Sequence, residues 1–169
     1  SAAKLFFAYG LGNALTFPMA VGASAILLEG PPEPERINKI FLEEKPTLFF
    51  GVPTLFAMLL ASDNLPTKDE HDVRLCISAG EPLPSDLLTR WQGTFGVDIL
   101  DGLGTTEMLH IFVSNRPDEI TPGSTGRVVP GYQIRLINDN NEVCAPGEMG
   151  VLEVSGPSSA LMYWGQRQK

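Results

Sequence analysis

With 169 residues and 43% hydrophobic content, the chain is long enough to bury one sizeable core or two small ones, and its composition is not that of a disordered segment. Its 12 basic and 20 acidic side chains leave a formal charge of −8, spread without blocks. That excludes the basic footprint of a nucleic-acid binder and the polybasic patch of a membrane-surface protein.

Neither cysteine, Cys76 in an apolar run or Cys144 near a turn, has CxxC spacing or neighbouring histidines, so both read as reduced structural thiols rather than zinc ligands. The apolar stretch LFFGVPTLFAMLL falls short of the roughly 20 residues of a membrane span and is interrupted by Gly51 and Pro53. No signal-peptide pattern is visible, so the expected location is the cytoplasm. The sequence opens with SAAKLFFAYGLG and stops at YWGQRQK without a helix stop, which is what a piece of a longer polypeptide would look like.

Taken in chain order, SAILLE (Ser24–Glu29) reads as a strand and PEPERINKIFLEEK (Pro32–Lys45) as a helix with Ile37, Ile40 and Phe41 on one face. TLFFGV (Thr47–Val52) is the next strand, followed by the helix PTLFAMLLAS with Pro53 in its first turn. VRLCISAG (Val73–Gly80) is a third strand, PSDLLTRWQGTF a third helix starting near Pro84 or Ser85, and VDILDG (Val97–Gly102) a fourth strand. Strands alternating with helices of this length predict right-handed crossovers and a parallel sheet. After Thr121 short alternating runs with Gly and Pro punctuation, and the turn-forming NDNNE, predict antiparallel hairpins. The expected fold is therefore α/β, a parallel sheet flanked by helices over residues 1–120, followed by a small antiparallel β-barrel or sheet over 121–169, with PDEITPGST as the connection.

In open parallel sheets ligands bind beyond the carboxyl ends of the strands, where helix N-termini point. The segments at those ends are GVPT, SAGEPLP and DGLGTTE. Gly80, Gly102 and Gly104 permit close backbone approach, Thr105 and Thr106 offer hydroxyls to a phosphate oxygen, and Glu107 is a hard oxygen ligand suited to magnesium. A nucleotide phosphate is the natural ligand of such an edge. Each feature also has a plain structural use. Glycine after a strand is commonly just a turn, Thr106 and Glu107 fit a first helical turn, and His110 among Met108, Leu109, Ile111 and Phe112 fits a core histidine. The convergence of three such loops on one edge favours a site. Ser-His-Asp sets, HExxH and GxxxxGK[ST] are absent.

SAGEPLP, GLGTTE and GEMGVLEVSGPSSALMYW, in this order, resemble the adenylate-forming enzymes, which include acyl-CoA and aryl-CoA ligases, luciferases and nonribosomal-peptide adenylation domains. FFAYGLGN, DGLGTTEMLHIF, and SNRP followed by PGSTGRVVPGYQIRL are most similar to the benzoate-CoA ligase subgroup. The resemblance implies a central fragment of the large N-terminal domain. It also implies a two-step reaction, in which a carboxylate and ATP give an acyl-adenylate and pyrophosphate and coenzyme A then displaces AMP. Residue by residue, it makes Gly80, Glu81 and Pro82 a border of the adenine and Asp101, Gly102 and Leu103 a flat wall beside it. Leu103 replaces an aromatic that many relatives stack on the base. Thr106 is the expected phosphate contact and Glu107 the Mg2+ ligand, and these two are the expected catalytic residues.

For the acid, the resemblance points to Ala8, Tyr9, Gly10, His110 and Ile111, with the Tyr9 hydroxyl free to point outward and His110 as pocket wall or gate. The expected partners are thus a small aromatic carboxylate (benzoate first, a hydroxy- or aminobenzoate as the alternative), ATP and coenzyme A, with no nucleic acid and no membrane. A homo-oligomer is left open. The resemblance also implies a lysine-bearing phosphate loop, a ribose-binding aspartate and a C-terminal lysine domain, none of which is in this sequence, so the isolated chain is expected not to turn over. The rival from another class is a nucleotide-binding or structural module without ligase activity. Apolar surface left uncovered in the isolated chain predicts self-association; light scattering would show it, and a clean monomer would overturn the expectation.

Overall fold

A computed structural model describes residues 1–166; the last three residues of YWGQRQK lie outside the described residues. The first motif coils into a short helix α1 (Ala8–Leu11), a π-helical turn (Gly12–Thr16) and α2 (Phe17–Val21), closed by Gly22 in the left-handed region. The alternation read from sequence then appears as α3 (Pro34–Glu43), β1 (Leu48–Gly51), α4 (Pro53–Leu60), β2 (Leu75–Ala79), α5 (Ser85–Phe95) and β3 (Ile99–Gly104). Pro34 and Pro53 sit at the first helical position of α3 and α4, where a missing N–H is harmless. α5 stops at Gly96, with φ 75°.

β1, β2 and β3 are parallel in the order β1-β2-β3. Their register aligns Phe49 with Cys76 and Cys76 with Ile99, so one apolar row faces the helices. Onto it pack Ile37 and Phe41 of α3, Leu55, Phe56 and Leu59 of α4, and Leu87, Leu88, Trp91 and Phe95 of α5. The aromatic rings meet edge-on or tilted, with Phe56 to Trp91 at 4.9 Å and Trp91 to Phe95 at 4.5 Å, the arrangement the ring quadrupoles favour.

One expected element is absent: Ser24–Glu29 is not a strand. A strand exists only through its neighbours, and the edge of β1 on that side bonds to the backbone of Ala2, whose N–H reaches the Phe50 carbonyl at 2.9 Å, leaving the apolar segment extended across a groove without a ladder. The expected parallel sheet flanked by helices is present in β1–β3, and antiparallel strands extend it. β3 runs through Gly104 and turns back as β4 (Ile111–Ser114), antiparallel to it, and β5 (Arg127–Val128) pairs antiparallel with β4. Thr106 and Glu107 are accordingly in a turn and not at a helix start.

The predicted hairpin texture is present as β6 (Gln133–Ile137) and β7 (Val151–Ser155), a two-stranded antiparallel sheet with Asn138–Glu142 as a turn after β6. Tyr132, Leu152 and Val154 pack against a second small core of Met108, Phe112 and Val113. That contact seats the β6-β7 sheet beside the loop that joins β3 to β4.

Trp91 is completely buried in the larger core. Its replacement by alanine, Trp91→Ala, is expected to cost about 3–5 kcal/mol, read as a shift in the midpoint of denaturant unfolding followed by circular dichroism.

Candidate active site

Because β1, β2 and β3 run parallel, the segments that follow them emerge at one edge. Thr54 links the first two, its hydroxyl lying 3.4 Å from both carboxylate oxygens of Glu81. The third is the hairpin loop from Thr105 to His110. It is very tight: a Cβ on Gly104 would lie 2.5 Å from the His110 carbonyl oxygen. Leu109, with φ 68°, completes the reversal in a conformation few L-residues adopt. The Met108 N–H is accepted by the Thr105 hydroxyl at 3.2 Å.

These loops and the first helical segment enclose a cavity of about 540 Å³. Of the residues expected for the acid, Ala8, Tyr9, His110 and Ile111 line it. Gly10 does not: it is buried behind, where a Cβ would stand 2.1 Å from the Lys4 carbonyl oxygen, so its role here is to let two backbones touch. Of the residues expected for the nucleotide, Gly80, Glu81 and Thr106 line the cavity, whereas Pro82, Asp101, Gly102 and Leu103 lie outside its wall. Glu107 also lies outside the wall, exposed on the adjoining turn. Gly102 is where Ile111 packs, since a Cβ there would stand 2.7 Å from Ile111 Cδ1.

Tyr9 and His110 stack with ring centroids 5.4 Å apart, and the edge of Phe17 meets His110 at 4.7 Å. The Tyr9 hydroxyl does not point outward. It donates to the Ile77 carbonyl of β2 at 3.1 Å, so the ring is anchored at both ends. Burial, with smaller contributions from Cys76 and Asp101, pushes the phenol well above its usual range, and it stays protonated. The imidazole of His110 presses against the π-helical turn; a Cβ on Gly12 would lie 2.5 Å from its Cδ2, and its Nε2 is buried without a partner. Desolvation lowers its pKa from 6.5, partly opposed by the Tyr9 backbone, so it is neutral at pH 7.

Asp101, 4% exposed, has its pKa raised by desolvation, with the N–H groups of Leu83 and Gly102 offsetting part of that cost. Glu107 carries the opposite shift. Hydrogen bonds from the Tyr163 hydroxyl first, then from its own backbone and Thr105, hold its carboxyl below the usual range. Among the described residues no cluster of three or more His, Cys, Asp or Glu side chains could hold a metal by itself. A single exposed carboxylate at the rim suits a cation that brings phosphate oxygens with it.

Sequence reasoning missed several wall residues. Lys4 is the one charge in SAAKLFFAYGLG, a visible signal; it lines the cavity and its ammonium donates to the carbonyls of Leu28, at 3.0 Å, and Gly30. Val52, Leu55, Ala79 and Leu109 add apolar wall but carry no local signature. Tyr163 lies 56 residues from Glu107, a separation no motif would flag.

The chain belongs to the AMP-binding enzyme family, whose model it matches over residues 1–164. It is 54% identical over 170 aligned residues to the benzoate-CoA ligase of Thauera aromatica, covering 100% of this chain and 32% of that protein. With the 4-hydroxybenzoate-CoA/benzoate-CoA ligase of Rhodopseudomonas palustris the identity is 47%, over 100% of this chain and 32% of that one. Among solved structures it superposes on a benzoate CoA ligase from Burkholderia xenovorans LB400 with a TM-score of 0.96 and 52% identity, over 99% of this chain and 34% of that one. An anthranilate CoA ligase in complex with anthranoyl-AMP gives 0.93 and 40%, over 99% and 33%. The chain thus spans about a third of the length of the relatives it matches.

The lowered pKa of His110 has a definite pH consequence. An unfolded histidine takes up its proton near 6.5 before the native one does, so this group withdraws stability as pH falls from about 6.5 toward the native value. NMR titration of the two imidazoles should show His110 with a midpoint below 6.5; a midpoint at or above it would mean that the ring is solvated.

Proposed function

We propose that the intact protein is an ATP-dependent aryl-CoA ligase acting on benzoate, with benzoyl-adenylate as intermediate and benzoyl-CoA, AMP and pyrophosphate as products. The observation that carries this is a single cavity lined both by the aromatic and apolar side chains of Tyr9, His110 and Ile111 and by Gly80, Glu81 and Thr106. On this proposal a flat aryl ring packs beside the stacked Tyr9–His110 pair, with its carboxylate toward Thr106. Neutral His110 contributes a polarisable face and no charge to that wall. Identity to a benzoate-CoA ligase and to a benzoate/4-hydroxybenzoate enzyme supports the same acid class.

On this reading Thr106 donates to a phosphate oxygen, Gly80, Glu81 and Pro82 border the adenine, and Asp101, Gly102 and Leu103 back the wall from β3. Glu107 is the residue that would hold Mg2+, which neutralises phosphate charge when bound. Residues 1–120 then supply most of the site and 121–169 the β-rich portion that braces its hairpin loop, with β5 shared between them. No described helix is long and apolar enough to cross a membrane, and the co-substrates ATP and coenzyme A fit a cytoplasmic reaction.

The test is pyrophosphate release by the full-length protein with benzoate, 4-hydroxybenzoate, 2-aminobenzoate and acetate, beside Glu107→Ala. Benzoate-dependent release is expected, with Glu107→Ala slower by about 10²-fold or more. Ready activation of acetate with no response to any benzoate would overturn the assignment. Stronger activity with a substituted acid would move it within the aryl class.

A further inference from the structure

After β7 the chain crosses back over the β3-β4 hairpin loop and is tied to it at successive points. The Ser158 hydroxyl donates to the Met108 carbonyl at 2.7 Å and itself lies 2.7 Å from the Tyr132 hydroxyl. Two residues on, the Ala160 N–H donates to the backbone carbonyl of Glu107 at 2.7 Å. The Tyr163 hydroxyl then donates to Oε1 of the same residue's carboxylate. Tyr163 is set in place by a turn of its own, in which the Gln166 N–H returns to the Tyr163 carbonyl at 2.9 Å and Gly165 takes φ 71°. One strap therefore grips Glu107 at both its backbone and its side chain.

Both side chains of the Tyr163–Glu107 bond are exposed. A hydrogen bond between exposed groups replaces bonds to water and stabilises a fold little, so its consequence is orientation. A glutamate on an open turn samples many rotamers, and ordering it on ion binding costs conformational entropy. A phenol on one oxygen removes most of that freedom in advance, in the way outer-shell hydrogen bonds orient metal-binding carboxylates generally.

We propose that Tyr163 is a positioning residue, whose hydroxyl fixes the orientation of the Glu107 carboxylate on the turn beside the cavity, so that a divalent cation arriving with a nucleoside triphosphate meets an ordered ligand. This rests on the assignment of Glu107 as the cation ligand, and the test separates the two. In the full-length protein, Mn2+ serves as the probe, and affinity for the Mn2+·ATP complex is read from its EPR signal for the wild type, Tyr163→Phe, Ser158→Ala and Glu107→Gln. Affinity for ATP in chelator is measured in parallel by calorimetry.

Glu107→Gln should lose most of the cation-dependent affinity, and Tyr163→Phe should weaken Mn2+·ATP binding by about tenfold. Affinity for cation-free ATP and the KM for benzoate should stay unchanged in Tyr163→Phe. Ser158→Ala, which loosens the strap without touching the carboxylate, should bind nearly as the wild type does. If Tyr163→Phe binds as tightly as the wild type, or tighter, while Glu107→Gln is weak, the phenol does not position the ligand. Equal weakening in Ser158→Ala and Tyr163→Phe would assign the effect to strap rigidity alone and also overturn the proposal. Unchanged binding in Glu107→Gln would remove Glu107 as the ligand, and Tyr163 with it.

Discussion

The tight reversal between β3 and β4 is the constraint from which the site follows. With no side chain at Gly104, the His110 carbonyl can close on the end of β3, and the loop becomes short enough to turn its members in opposite directions. His110 and Ile111 go inward to the cavity and Met108 into the second core, while Glu107 goes outward to the strap. The left-handed backbone at Leu109 is the strain that accompanies this, of order 1–3 kcal/mol for a residue that is not glycine. Packing of Met108 and the bonds from Ser158 and Ala160 hold the loop in that shape.

Much of the scaffold was legible in the sequence because the α3–β3 unit is governed by periodicity. Ile37 and Phe41 recur at helical spacing, the strands are short apolar runs, and Pro34, Pro53 and Gly96 punctuate the helices. The failures share one cause, dependence on partners that are not local. Ser24–Glu29 is a short apolar run, yet a strand needs an adjacent ladder and the segment lacks one. β4 was missed because its reversal is set by Gly104, which in sequence resembles any glycine of a phosphate loop.

The site divides in the same way. Local motifs brought Tyr9, Gly80, Glu81, Thr106, His110 and Ile111 to one cavity. Gly10 and Gly102 sit in the same motifs but act by omission, as places where Lys4 and Ile111 fit against backbone. Resemblance alone does not separate a residue that touches a ligand from one that makes room for a neighbour. Lys4 and Tyr163 escaped for opposite reasons, one too isolated in its own motif to be assigned a role and the other too far along the chain from the residue it bonds.

The strap has a further consequence for the order in which the molecule assembles. Its bonds to Met108 and Glu107 join residues 50 and 56 positions apart, whereas the β6-β7 ladder closes over 14 to 22 positions and the β1-β2 and β2-β3 ladders over 27 and 23. Loop-closure entropy delays contacts of long separation until nearer ones have formed. The chain can therefore complete its core and its small sheet with the rim carboxylate still untethered. The orientation of that carboxylate is then acquired late, after the strand ladders of the main sheet and of β6-β7 are in place.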